Sequence, residues 1–199
     1  MKLTDSPYAR AYKKEIEASF TAEEAFELWK TAENHYRQLL SENAHVPKEV
    51  AVHTKENIFP AIAVYKAVRG NDSEKALGIL EKGAAKVSEK SGKMLSKMLK
   101  IPGFKSIFMK IFSLGVKTTF GEKAGFSYRF HSDTSRDLEF DMLKCPYADY
   151  CKKYGCEEIT HIFCKNDEYA YGNLPGIKFI RTETIGTGGS CCDFRFKRS

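Results

Sequence analysis

Six cysteines, at 145, 151, 156, 164, 191 and 192, all fall in the last third of a 199-residue chain. Among them stand His161, Asp167, Arg181 and Glu183. Thiols, carboxylates, an imidazole and a guanidinium together suit a polar pocket that does nucleophilic or general acid–base chemistry. A nucleophilic cysteine needs a neighbour that lowers its pKa. Cys164 has His161 three residues before it and Asp167 three residues after, one turn away on either side in a helix. In a strand, His161 and Cys164 would face opposite ways. A metal centre has weaker support. Structural zinc takes thiolates in close pairs such as C-x2-C, whereas Cys145, Cys151, Cys156 and Cys164 are separated by five, four and seven residues. No cofactor is expected, and the ligand spacing does not support a divalent metal, although His161 could join Cys156 or Cys164 as a ligand.

The end of the chain reads as a hairpin, Ile177 to Ile185 returning along Cys191 to Lys197 across a glycine-rich turn. Alternation puts Cys192, Phe194 and Phe196 on one face and Cys191, Asp193, Arg195 and Lys197 on the other. With the turn centred on Thr187-Gly188, Glu183 falls opposite Cys192 and Arg181 opposite Phe194. These charges form either a structural pair at the edge of the core or part of a ligand pocket. Cys191 and Cys192 face opposite ways, so only one can serve that pocket. The alternation favours Cys192, and a bulge in the turn would reverse the choice.

The elements that must position these groups read as α+β. Residues 1–120 are mainly helical, and 121–199 form a small antiparallel sheet of about four strands, two hairpins joined by short helices, within one domain of residues 1–199. Ser6-Pro7 predicts a helix start, Thr21 and Glu24 a capping box, and Asp72 a further cap. Tyr8, Tyr12, Ile16 and Phe20 make one stripe; Phe26, Trp29, Tyr36, Leu39 and Leu40 make another. A third helical segment runs from Pro47 to Gly70 with a break at Pro60. Gly92 and Gly115 read as punctuation. Phe104, Ile107, Phe108, Ile111 and Phe112 read as a core-facing stripe. Phe126 to Phe130 and Leu138 to Met142 alternate as a hairpin, leaving His131 on the polar face. A helix follows Pro146 and stops at Gly155, and a strand or helix carries Ile159 to Cys164.

The chain is 42% hydrophobic and 29% charged, as in an ordinary globular protein. Its net charge of +6 is unevenly spread. Lys82 to Lys123 hold ten lysines against Glu89 and Glu122, a net +8. That stretch invites a membrane-surface or nucleic-acid reading. It contains no arginine, and its apolar stripe is more simply a core face with lysines on the wet side. Nucleic acid is therefore not expected as a partner, and a membrane surface ranks below a small-molecule substrate or ligand. Homo-oligomerisation is left open. The start, MKLTDSPYAR, has no apolar run, so a cytoplasmic location with reduced thiols is expected.

The C-terminal motifs resemble the L-2-amino-thiazoline-4-carboxylic acid hydrolase family. The resemblance is carried by Cys145-Pro146, Phe163-Cys164 with Asp167, Phe179 with Arg181-Thr182 and Thr184, and Gly189 leading through Cys192-Asp193-Phe194 to Phe196. It implies a hydrolase that adds water to the amidine-like carbon of a carboxylate-bearing thiazoline or a related cyclic amidine or amide. Residue chemistry then offers Arg181 as a carboxylate clamp and Glu183 or Asp167 as the base. Cys164 or Cys192 is a nucleophile or a polar wall, and His161 a substrate contact. The alternative is a non-catalytic small-molecule-binding or sensor domain, since the hairpin ending also resembles vinyl-reductase-type domains.

Overall fold

In a computed structural model describing residues 2–70 and 72–199, the helices are α1 (Pro7–Ser19), α2 (Ala22–Glu42), α3 (Lys48–His53), α4 (Phe59–Arg69), α5 (Ser73–Met98), α6 (Phe104–Thr118), α7 (Pro146–Lys153) and α8 (Thr160–Tyr171). The strands are β1 (Ser127–Asp133), β2 (Asp137–Lys144), β3 (Ile177–Ile180) and β4 (Cys192–Arg198). The fold is α+β, as the sequence predicts. All strand pairs are antiparallel, in the order β1-β2-β4-β3.

Helix starts follow their local chemistry. Ser6 Oγ accepts from the Ala9 amide at 3.2 Å with Pro7 in the first turn, and Thr21 and Glu24 close a capping box. Asp72 caps α5, its carboxylate accepting from the Lys75 amide at 2.9 Å. Between α3 and α4 the backbone widens into a π turn, Thr54–Ile58, just before Pro60. The wider turn absorbs the missing proline N–H without ending the helical run.

Two cores result. One gathers the inner faces of α1, α2, α4 and α5 with Ile159 and Ile162. The other lies between α6 and the sheet, where Phe112 and Phe196 stand 4.6 Å apart and Phe140 stacks on its cross-strand partner Phe194 at 4.9 Å. The opposite sheet face carries an ionic network, with Arg195 on Asp141 at 2.6 Å and His131 on the same carboxylate.

Several local expectations are corrected. Phe26 is exposed, and Ala25, Leu28 and Ala32 fill the buried face of α2 instead. α5 runs through Gly92, and α6 passes Gly115. The α6 stripe is split: Phe108 is buried and Phe112 half-buried against the sheet, while Ile107 and Ile111 face outward. β3 ends at Ile180 because the Asp193 carboxylate, rather than strand backbone, accepts from the Thr182 and Glu183 amides, each at 2.8 Å.

Gly92 marks the point where α5 crosses α8. A Cβ there would stand 2.8 Å from the Tyr169 carbonyl oxygen and 2.9 Å from that of Ala170. Backbone cannot yield as a flexible side chain would, so the glycine sets the separation of the two helices. We expect Gly92→Ala to destabilise the protein by about 1–3 kcal/mol, as overpacking does. Gly78→Ala, on the same helix with nothing within 4 Å, should instead stabilise it by about 0.5–1 kcal/mol. Urea unfolding of the two variants checks both signs.

Candidate functional site

Thr160, Phe163, Cys164, Asp167 and Tyr171 lie at three- and four-residue steps along α8 and share one face. That face borders a cavity of about 340 Å3 at the seam between the two cores. Cys192 and Phe194, two residues apart on β4, face the same space. Cys145 and Tyr147 reach it from the start of α7, Tyr8 from α1 and Ser88 from α5. The short 3-10 turn Ile185–Thr187 closes the wall between α8 and β4. Gly186 brings this turn against α8, since a Cβ there would lie 2.7 Å from Cys164 Sγ and 2.9 Å from Thr160 Cγ2.

Three thiols therefore meet one cavity, and burial dominates all of them. It pushes the Cys145 and Cys192 thiols up to about 12. The Cys164 thiol also rises, through burial first and the nearby Asp167 charge, although Thr184, Arg181 and the Gly186 amide pull it back. Cys192 Sγ accepts from the Ile185 amide at 3.3 Å. Neutral S–H groups face the cavity at pH 7.

Asp167 is different. Burial raises its carboxyl to about 6 even though Arg181 opposes the rise. Its side chain is 31% accessible and lines the cavity. Behind it, the Arg181 side chain is only 2% exposed. Its guanidinium donates to Asp167 Oδ2 at 2.7 Å, Glu168 Oε1 at 2.8 Å and the Cys164 carbonyl at 2.9 Å. It also packs against the Phe179 and Phe194 rings, at 5.8 and 5.6 Å from their centroids.

The structure brings Cys164, Asp167 and Cys192 to one cavity and sets Arg181 behind Asp167, outside the lining. Glu183 and His161 lie elsewhere. Glu183 accepts from the Cys191 thiol at 3.2 Å and the Ser190 amide at 3.2 Å. His161 contacts the Glu158 carbonyl at 2.7 Å and the Glu81 carboxylate at 3.0 Å, against α5. Among the described residues, no group of three or more His, Cys, Asp or Glu side chains is arranged to hold a metal ion.

Sequence reasoning missed several groups. Asn166 lines the cavity with Oδ1 buried and without a hydrogen-bond partner among the described residues. His53 is buried behind Tyr147. Its Nε2 lies 2.7 Å from the Thr119 carbonyl and must donate there, so Nδ1 accepts from the Tyr147 hydroxyl at 3.2 Å. Burial holds this imidazole below its usual range, and therefore neutral. Nothing in the local sequence around His53 or Asn166 marks them. Only Cys145, through its Cys-Pro motif, carried a signal.

Residues 51–196 match the family model for L-2-amino-thiazoline-4-carboxylic acid hydrolase. The chain belongs to this family. The matched span holds every cavity group named above except Tyr8, which lies on α1 ahead of it. No curated protein and no solved structure matches the chain.

Because its folded-state pKa lies above the ordinary 3.8, Asp167 binds more protons in the native than in the unfolded chain from pH 4 to 6. Stability must then fall as pH rises through that window. We expect the stability of the wild type relative to Asp167→Asn to be greatest near pH 4, to decline towards pH 6 and to level off above it. Urea titrations of both proteins across that range measure the difference. A flat difference would place the Asp167 pKa at its unfolded value.

Proposed function

We propose that the chain hydrolyses a small ring bearing an amidine- or amide-type carbon, with Asp167 as general base. What carries this reading is the Asp167 carboxyl, raised to about 6 in the wall of a 340 Å3 cavity. With the substrate in the cavity, its reacting carbon faces Asp167. The carboxylate takes a proton from water as the water oxygen bonds to that carbon, and the C=N electron pair moves to the ring nitrogen. Asp167 then returns the proton as the ring C–S or C–N bond breaks. Water and substrate become one ring-opened product with no change of oxidation state.

The three thiols act as neutral, polarisable walls and weak donors rather than as ready thiolates. Arg181 is a positioning residue, since it lies outside the cavity lining and gives three of its N–H groups to Asp167, Glu168 and the Cys164 carbonyl. A carboxylate on the substrate would meet neutral donors instead, the Tyr8 and Ser88 hydroxyls on the α1–α5 wall. A second reading, a binding module without turnover, is favoured by the aromatic part of the wall at Phe120, Phe126, Phe163 and Phe194.

Purified protein should open 2-amino-thiazoline-4-carboxylate, with kcat/KM falling below pH 6 as Asp167 is protonated. Asp167→Asn should lose about 100-fold or more in kcat. Cys164→Ala and Cys192→Ala should keep measurable turnover, since neither thiol is ionised. Full activity in Asp167→Asn would overturn the assignment of the base, and a trapped thioester-type adduct on Cys164 would move the attacking atom to sulfur. A thermal shift with this compound but no product would favour the binding module.

A further inference from the structure

The outward face of α6 is apolar although it is exposed. Ile107, Ile111 and Leu114 recur at i, i+4 and i+7 and are 50, 58 and 60% exposed. The opposite side of the helix, with Phe108, Met109 and Val116, is already committed to the core. These exposed residues therefore form a second apolar stripe, one that packing does not use. A matching stripe ends α5, where Met94 is 63% exposed and Met98 39%, followed by Ile101 at 57%. The two stripes are continuous in the chain across the turn at Gly103.

Charge singles out what would cover them. From Lys90 to Gly121 the chain has seven lysines and neither an acidic residue nor an arginine. Lys93 pairs with Glu89 at 3.7 Å, and Lys117 pairs with Asp133. Lys90, Lys97, Lys100 and Lys110 are exposed and pair with no carboxylate among the described residues. Lys110 flanks the Ile107–Leu114 stripe on α6, and Lys97 lies beside Met94 and Met98 on α5. Apolar side chains bordered by unpaired ammonium groups match the acyl boundary and anionic headgroups of a lipid surface. A second copy is a poor fit, because apposing two such faces would bring the lysines together without carboxylates to pair them. Nucleic acid would leave the isoleucines and Leu114 without apolar cover.

We propose that the Ile107–Leu114 stripe of α6, with the Met94–Ile101 stripe that precedes it in the chain, docks the protein peripherally on an anionic bilayer. No helix among the described residues is long and apolar enough to cross a membrane, so this contact lies on the surface. Two exposed lining residues of the cavity, Ser91 and Phe120, are near these stripes in the chain, one turn before Met94 and just beyond α6.

The full-length protein is sedimented with vesicles of phosphatidylcholine alone and of phosphatidylcholine with phosphatidylserine, at low and at physiological salt. It should pellet with the anionic vesicles only, and less at higher salt. Replacing Lys97, Lys100 and Lys110 together by glutamine should weaken binding on the order of a hundredfold, roughly fivefold per lysine. Ile111→Ser with Leu114→Ser should also weaken it, and both variants should melt as the wild type does because the side chains are exposed. No pelleting at low salt would overturn the proposal, as would equal pelleting with both vesicle types. A dimer in sedimentation velocity that the Ile111→Ser/Leu114→Ser variant dissolves would assign the face to a second copy. Tighter binding to a labelled oligonucleotide than to anionic vesicles would assign it to nucleic acid.

Discussion

A buried guanidinium holds the site together. Arg181 leaves the sheet just after β3 and reaches the Cys164 carbonyl and the Asp167 and Glu168 carboxylates of α8. Its side chain is 2% exposed, so taking it from water costs several kcal/mol unless its donors are satisfied. Two carboxylates, a carbonyl and two ring faces satisfy it. The dependence is mutual. Removing Arg181 would leave Asp167 buried without its cation, and losing the carboxylates would leave the cation stranded. The end of the sheet and the cavity-facing side of α8 are thus fixed to one another by a contact that tolerates little sliding. The cavity between them inherits that geometry.

The space itself exists because two cores meet imperfectly. The helical core closes around Tyr12, Ile16, Phe59 and Ile62, and the sheet core around Phe140, Phe196 and Met109. α8 belongs to both, packing on α5 at Gly92 and on the sheet through Tyr171, whose ring lies 5.5 Å from Phe196. A helix shared between two cores cannot fill the seam on its own. What fills it is a set of half-buried side chains with polar tips, Tyr8, Tyr147, Cys164 and Asp167 among them. The family match begins at residue 51, so the seam is built almost wholly from the matched span, with α1 adding one wall.

Local signals were legible in the chain and contacts across it were not. Ser6, Thr21 and Asp72 cap helices because capping needs only the next three residues. The alternation of Leu138, Phe140 and Met142 marks a half-buried strand for the same reason. Gly92 reads as a break, since a glycine in a helical pattern looks alike whether it ends the helix or admits a backbone some 77 residues away. The Phe104–Phe112 stripe reads as one face, although the core takes only part of it. The short β3 was hidden because a side chain, that of Asp193, replaces the strand ladder. At the site, Cys164 and Asp167 are neighbours on one helix and could be paired from spacing. Asn166 and His53 matter through burial and missing or fixed hydrogen-bond partners, and no spacing rule reports those.

Two opposed effects set the chemistry of the cavity, and they act unequally on sulfur and oxygen. Burial disfavours every ionised form, so it raises the thiols and the carboxyl alike. Arg181 acts mainly on the group it touches. Asp167, at 2.7 Å, is held back to about 6, while Cys192 and Cys145 climb to about 12. Near neutral pH the carboxylate is then the ionised group facing the cavity, and the thiols remain protonated. A base with a pKa just under the working pH is mostly in its active form yet still basic enough to take a proton in the transition state. Burial alone would leave Asp167 protonated, and full exposure beside Arg181 would make it too weak a base. The buried cation behind the carboxylate places it between those limits, so the cavity wall carries its charge on the single aspartate while the three thiols stay protonated.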